Sequence, residues 1–143
     1  MSDEPGLPIG SEHDILTARQ RGRELAEQAG FSGSDLTVLA TAISEIARNI
    51  VQYAGRGEIV FSLVERDVGN RGLAIVARDQ GPGISDVELA MQDGYSTGRS
   101  LGLGLPGARR LMDEFDIQSR PGEGTTVTMT KWVPSTAMAR AER

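Results

Sequence analysis

The sequence predicts an α+β protein, a two-layer sandwich of helices on an antiparallel sheet, and three observations lead to that prediction. Two segments near the N-terminus have apolar residues at helical spacing. Strand-like segments joined by turn residues follow them. The 143 residues, 38% of them hydrophobic, suffice for one domain with one core. Helices followed by antiparallel strands are typical of the α+β class, in which helices cover one face of a sheet.

Two helices are predicted before the first long strand. Ser11, with Asp14 three residues later, is an N-cap signal, and Gly30 is a suitable C-terminal cap, so the first helix lies between them. The second helix starts near Ser34, and its apolar residues recur every three or four positions until Gly55. Residues 7–9 are expected to form a short edge strand.

Four longer strands and a third helix complete the predicted order. The strands at 58–65 and 72–78 are rich in Val and Ile and are separated by turn residues, which indicates an antiparallel hairpin. A helix is predicted within 102–115, because its apolar residues keep helical spacing as far as Phe115. The strands at 116–120 and 125–132 form a second hairpin.

Composition excludes several classes of function. The net charge of −5 gives no basic footprint for nucleic acid, and no apolar run is long enough to span a membrane. The acidic N-terminus does not resemble a secretory signal, so we expect a cytoplasmic protein. Without cysteine there is no thiolate metal site, and the single histidine, His13, is expected to be exposed in a first helical turn. We expect one domain over 7–133, with tails at 1–6 and 134–143.

Two stretches place carboxylates beside possible ligand contacts. Glu45 and Asn49 lie one turn apart on the second helix; a carboxylate can accept a proton and an amide oxygen can bind Mg²⁺, although a solvated polar face is the alternative. Asp79 shares one strand face with the apolar residues before it, so it is expected at the edge of a buried pocket. Gly81 and Gly83 after it allow a flat ligand to approach the backbone, or form an ordinary turn.

Two glycine-rich stretches follow. Nine of the 18 glycines lie between Gly81 and Gly124. The stretch from Gly94 to Gly104 leads into a helix N-terminus, where backbone N–H groups favour phosphate; a surface loop is the alternative. It lacks the Gly-Lys-Ser/Thr ending of a Walker A loop. At 122–126, a glycine turn precedes two threonines, whose hydroxyls are suited to contact a ring edge, although a plain hairpin turn has the same residues.

In this order the motifs resemble those of the GHKL ATPase/kinase superfamily, which has the Bergerat nucleotide-binding fold. Glu45 and Asn49 resemble its N box, Asp79-x-Gly81-x-Gly83 its G1 box, Gly102-x-Gly104 its G2 box and Gly122-x-Gly124-Thr125 its G3 box. Stretches 42–50, 79–84, 104–107, 110–115 and 122–127 further resemble the RsbT-type serine/threonine switch kinases of bacterial stress signalling. The resemblance implies a mixed, mainly antiparallel sheet with about three helices on one face.

The same resemblance implies a role for each motif, with ATP and Mg²⁺ as cofactors. Glu45 would be the catalytic residue that deprotonates a hydroxyl, and Asn49 would hold Mg²⁺ against the triphosphate. Asp79 would accept from the adenine amine. The other implied nucleotide contacts are Gly81 and Gly83 at the base, Thr125 or Thr126 at the base or a bridging water, and Gly94, Ser100, Gly102, Leu103 and Gly104 in the lid over the phosphates, where Arg99 is a candidate for charge neutralisation. Arg48 would face phosphate or a partner, or form a surface ion pair.

The implied substrate is a serine or threonine on a STAS-domain protein of a stressosome-type partner-switching module. The implied second partner is a PP2C-type phosphatase that the released kinase activates. Three alternatives stay open: an anti-sigma factor kinase that binds a sigma factor directly, a non-catalytic nucleotide-dependent binding switch, and a detached histidine-kinase catalytic domain.

Overall fold

A computed structural model describes residues 2–3, 5–84, 91 and 104–134, and in these residues a six-stranded sheet carries three helices. The helices are α1 (Glu12–Ala29), α2 (Ser34–Tyr53) and α3 (Gly104–Leu111). The strands are β1 (Ser2–Asp3), β2 (Leu7–Ile9), β3 (Gly57–Asp67), β4 (Asn70–Asp79), β5 (Glu114–Ser119) and β6 (Thr125–Trp132). The predicted α+β class is confirmed.

The sheet has the order β1-β3-β4-β6-β5, and β2 pairs with the same strand as β1, further along β3. Every pairing among the described strands is antiparallel, whereas the resemblance implied a mixed sheet. β3 and β4 form a hairpin in which Gly57 faces Asp79. On its other side β4 pairs with β6, and Asp79 lies opposite Thr125. The centre of the sheet is therefore built from β4 and its two long neighbours.

The core lies between one face of the sheet and helices α1 and α2. Alternate strand residues are buried, as expected when one face of a strand is covered by helices. The sheet contributes Ile59, Phe61, Leu73, Ile75, Ala77, Val127 and Met129. The helices contribute Ile15, Ala18, Leu25, Leu39, Ile43, Ile46 and Ile50, which follow the spacing of one helical face.

The predicted caps of α1 are confirmed. The Ser11 hydroxyl accepts from the Asp14 backbone N–H at 3.3 Å, and Gly30 has a left-handed φ of 114° while its N–H donates to Ala26 and Glu27. His13 is exposed in the first turn, as predicted. In the described part of the chain, no helix combines the length and the apolar character needed to cross a membrane.

Two segments differ from the prediction. The third helix ends at Leu111, and Phe115 lies in β5 opposite Met129. The chain leaves the helix because the Asp113 N–H donates to Thr130 of β6 at 3.0 Å, so strand pairing replaces the next helical turn. In the segment predicted as an N-terminal tail, β1 pairs with β3.

Candidate functional site

Three strand ends meet at one edge of the sheet. Asp79 is the last residue of β4, Thr125 the first of β6 and Ser119 the last of β5. Thr125 is the register partner of both Asp79 and Ser119, so the three residues form a row across adjacent strands. Side chains opposite one another on paired strands have Cβ atoms about 5 Å apart. The row places three polar side chains at the rim of the core.

Asp79 lies at the edge of the buried layer, as the strand alternation predicted. It is 9% exposed and follows the buried residues Leu73, Ile75 and Ala77 on the same face. Its Oδ1 accepts from the Gly81 backbone N–H at 2.9 Å. An ionised carboxylate has acceptor capacity for about four hydrogen bonds. The remaining capacity is suited to a ligand that donates protons.

Backbone contacts fix the loop after Asp79. Gly83 has a φ of 79°, and a Cβ there would collide with the Arg120 carbonyl oxygen. The Gly122 N–H donates to the Pro82 carbonyl at 2.7 Å. The loop that the sequence assigned to the ligand is therefore held against the β5–β6 turn, and only a glycine fits at its closest approach.

The backbone packs equally closely on the other side of Asp79. Gly124 has a φ of 82°, and a Cβ there would collide with the Asp79 carbonyl oxygen. A Cβ at Gly81 would lie 2.6 Å from the Ala54 Cβ, just beyond the end of α2. The Asp79 end of the site thus touches the C-terminal end of α2.

The structure separates the two threonines that the sequence left as alternatives. Thr125 is 7% exposed and lies opposite Asp79. Thr126 is half-buried and lies opposite Arg78 and Gln118, both exposed, on the other face of the sheet. Since successive strand residues alternate in direction, only Thr125 joins the row with Asp79. The structure does not bring Thr126 to the site.

Sequence reasoning missed Ser119. Its hydroxyl accepts from the Ile84 N–H at 2.7 Å, lies 3.0 Å from the Gly124 carbonyl oxygen and lies 2.8 Å from the Thr125 hydroxyl. A signal was present, because Ser119 continues the inward alternation of Phe115 and Ile117 and is the polar residue in that series.

A second group of residues lies where α2 meets α3. The Glu45 side chain is 10% exposed, and its Oε1 accepts from the Gly104 backbone N–H, the first residue of α3, at 3.0 Å. Its Oε2 pairs with the Arg48 guanidinium at 3.3 Å. Asn49 is half-buried one turn further along α2. The structure therefore brings Glu45 and Gly104 together, with Asn49 one turn along the same helix, and gives Arg48 an ion-pair partner.

The rest of the predicted lid is outside the described residues. This applies to Gly94, Ser100, Gly102 and Leu103, and to Arg99. In the described part of the chain, no group of three or more histidine or acidic residues could hold a metal ion by itself.

The two groups are connected by α2. Ala54 is nine positions after Glu45, which corresponds to a helix length of about 13 Å. At the C-terminal end of α2 lie the buried carboxylate of Asp79 and the closely packed turn after it. The Glu45 end has an acid, an amide and a helix N-terminus, a combination suited to phosphate and a proton transfer. Fold and site together define a nucleotide-binding domain of the GHKL type.

Comparisons with known proteins agree with that class. The family described as a histidine kinase-like ATPase domain matches residues 11–131. The chain belongs to this family, in its RsbT-type branch of serine/threonine protein kinases.

The relatives are similar over most of the chain. The chain is 50% identical to serine/threonine-protein kinase RsbT of Bacillus subtilis over 93% of its own length and 99% of the relative. It is 31% identical to an anti-sigma F factor of Thermoanaerobacter over 71% of its length and 73% of the relative. The solved structure of the RsbU and RsbW domains of a Mycobacterium tuberculosis protein superposes with a TM-score of 0.56 and 26% identity, over 92% of this chain and about a third (34%) of that longer one.

Proposed function

We propose that this chain is an ATP- and Mg²⁺-dependent kinase that phosphorylates a serine or threonine of a STAS-domain protein. One observation carries the proposal: Glu45 contacts the N-terminus of α3 at 3.0 Å, one turn from Asn49, on the helix whose C-terminal end packs against the loop after Asp79. In this arrangement adenine lies at Asp79, with Gly81 and Gly83 shaping its pocket. The triphosphate extends along α2 toward Asn49 and Gly104.

Mg²⁺ fits the residues at the helical end. The Asn49 amide oxygen is a suitable ligand, and Mg²⁺ commonly keeps few protein ligands while phosphate and water supply the rest. This agrees with the lack of a multi-acid cluster among the described residues. When bound, Mg²⁺ neutralises charge that develops on the transferred phosphoryl group. Asn49 would orient the ion.

Glu45 is the proposed general base. Its carboxylate would take the proton of the substrate hydroxyl as the oxygen attacks the γ-phosphorus. In the described contacts Oε1 accepts from Gly104 and Oε2 from Arg48. A helix N-terminus favours anions, so phosphates that bind the Gly104 N–H would release Oε1 for the incoming hydroxyl. Arg48 would keep the carboxylate in place during that exchange.

The proposed partners follow from the family branch. We infer a stressosome-type partner-switching module in which the kinase phosphorylates the STAS protein and, once released, activates a PP2C-type phosphatase. The 50% identity to RsbT over nearly the whole of both chains supports this choice. The proposal assigns kinase function to a single domain over 7–133 in a cytoplasmic protein, with no nucleic-acid or membrane partner.

An anti-sigma factor kinase that binds a sigma factor is the second candidate. The anti-sigma F relatives favour it, because one of them is 31% identical over 71% of this chain. The higher identity and fuller coverage of RsbT favour the STAS substrate. Capture of a sigma factor in place of a STAS protein would reverse the order of these candidates.

Phosphoryl transfer from γ-labelled ATP tests the proposal. The assay contains Mg²⁺ and a STAS-domain protein from the same organism. Wild-type protein is expected to label it. Glu45→Gln keeps an acceptor for Gly104 but removes the base, so its transfer rate is expected to fall by about 10² to 10⁴ at retained ATP affinity.

Glu27→Ala on the exposed side of α1 is the matched control, and it is expected to transfer at the wild-type rate. Transfer by Glu45→Gln at the wild-type rate would refute the assigned base. Measurable ATP binding without label on any STAS protein would refute the proposed substrate.

A further inference from the structure

At the three strand ends, the contacts of Ser119 determine where the hydroxyl protons of Ser119 and Thr125 point. Ser119 Oγ accepts from the Ile84 N–H at 2.7 Å, and it lies 3.0 Å from the Gly124 carbonyl oxygen. A carbonyl has no proton to give, so Ser119 is the donor in the second bond. The hydroxyl of a serine has one proton. Ser119 therefore has none left for Thr125.

The contact between the two hydroxyls, at 2.8 Å, then has a fixed direction. Thr125 donates its single proton to Ser119, which accepts it as its second incoming bond. This is the one assignment of the two protons that makes all three contacts hydrogen bonds. It fills the capacity of Ser119, one donor and two acceptors. Thr125 keeps only lone pairs for any other partner.

Asp79, opposite Thr125, is also an acceptor. Its carboxylate has no proton to offer when ionised, and Oδ1 already accepts from Gly81 at 2.9 Å. Both residues are largely buried, at 9% and 7% exposure. Two largely buried acceptors on facing strand positions are suited to a ligand that donates hydrogen bonds to them. A water bridging the pair would donate both protons and again present an acceptor to the ligand.

We propose that Ser119 is a positioning residue that determines base specificity: by taking the Thr125 proton, it makes Asp79 and Thr125 a pair of acceptors that selects a 6-amino purine over a 6-oxo purine. This inference rests on the proposed function, in which a purine nucleotide occupies the pocket. Ser119 acts through Thr125.

The second role of Ser119 is mechanical, and it predicts a different result. Ser119 also connects the loop at Ile84 to the turn at Gly124, so its removal loosens the pocket for every nucleotide. A loosened pocket weakens ATP and inosine triphosphate (ITP) equally. A reoriented Thr125 hydroxyl changes their ratio, because a freed proton can point to the 6-oxo group. The ratio of the two affinities therefore separates the roles.

Equilibrium titration of the full chain with ATP and with ITP, in Mg²⁺, tests the proposal. Wild type is expected to bind ATP more tightly than ITP. Ser119→Ala is expected to reduce that preference by about three- to tenfold, the value of one ordinary hydrogen bond. Ser119→Thr keeps the hydroxyl and is expected to keep the wild-type preference. Gln118→Ala, on the outer face of the same strand, is the matched control.

Coupling to Thr125 makes the test specific. Thr125→Val removes the hydroxyl whose direction Ser119 determines. The double variant Thr125→Val/Ser119→Ala is therefore expected to have the same ratio of ATP to ITP affinity as Thr125→Val alone. An unchanged ratio in Ser119→Ala, with thermal melting showing a folded protein, would overturn the inference and leave the kinase proposal intact. A wild type that binds ATP and ITP equally would do the same. A wild type that binds no purine nucleotide would overturn both.

Discussion

The strand end and the helix end of the site are built in different ways. At the strand end, Gly83 and Gly124 bring backbone against backbone, at the Arg120 and Asp79 carbonyls. At the helix end, α3 is attached to α2 through a side chain, because Glu45 accepts from Gly104. Backbone packing leaves the first region few alternative arrangements. In the second region, another acceptor can replace Glu45 on the Gly104 N–H at little cost in free energy.

This difference predicts which end of the site affects binding and folding and which end affects phosphoryl transfer. The strand end has its acceptors in place through contacts within the protein, which suits the base site that we propose there. At the helix end, Glu45 occupies the position on the Gly104 N–H that a phosphate would favour. We therefore expect changes at the strand end to alter binding and folding strongly. Changes at the helix end should alter transfer more than stability.

The largest effect on binding is expected at Asp79. In Asp79→Asn, the amide oxygen stays with the Gly81 N–H, so the amide NH₂ faces the donor of the ligand. Opposed donors in a buried site should weaken ATP binding by about 100-fold. Calorimetric titration measures this, with Asp116→Asn on the exposed side of β5 as the control. Equal ATP affinity in the two variants would remove Asp79 from the pocket.

The largest effect on folding is expected at one of two glycines of the same turn. Gly124→Ala combines a left-handed φ of 82° with a collision against the Asp79 carbonyl. We expect a loss of about 3 kcal/mol of unfolding free energy, or about 10 °C in melting temperature. Gly122→Ala has nearly the same φ, 79°, and nothing within 4 Å, so about 1 kcal/mol is expected. Similar melting temperatures would show that the backbone approach is not tight.

The smallest effect on stability is expected at the helix end. Glu45→Ala removes the acceptor of the Gly104 N–H and should lower the unfolding free energy by about 1 kcal/mol, as loss of a helix cap does. Glu45→Gln keeps an oxygen there and should lose less than half of that. Urea denaturation of the two variants measures the difference. A loss at Glu45→Ala as large as that of Gly124→Ala would contradict the contrast between the two ends.

Local patterns predicted most of the fold. Caps at Ser11 and Gly30 located α1, and strand alternation placed Asp79 on the buried face. The end of α3 was not predictable in this way, since Phe115 continues the helical spacing. A long-range bond from Asp113 to Thr130 ends the helix, and a periodicity argument includes no such bond. The strand at Ser2–Asp3 likewise depends on an open edge of β3.

The sequence by itself determined the order of elements, the face of Asp79 and the pairing of Glu45 with Asn49 on one helix side, because these follow from periods of 2 and 3.6 residues. The tertiary structure placed Thr125, and not Thr126, opposite Asp79, attached Glu45 to Gly104 and gave Ser119 its three contacts. Those outcomes depend on strand register and on contacts between residues distant in sequence. Local spacing carries no information about either.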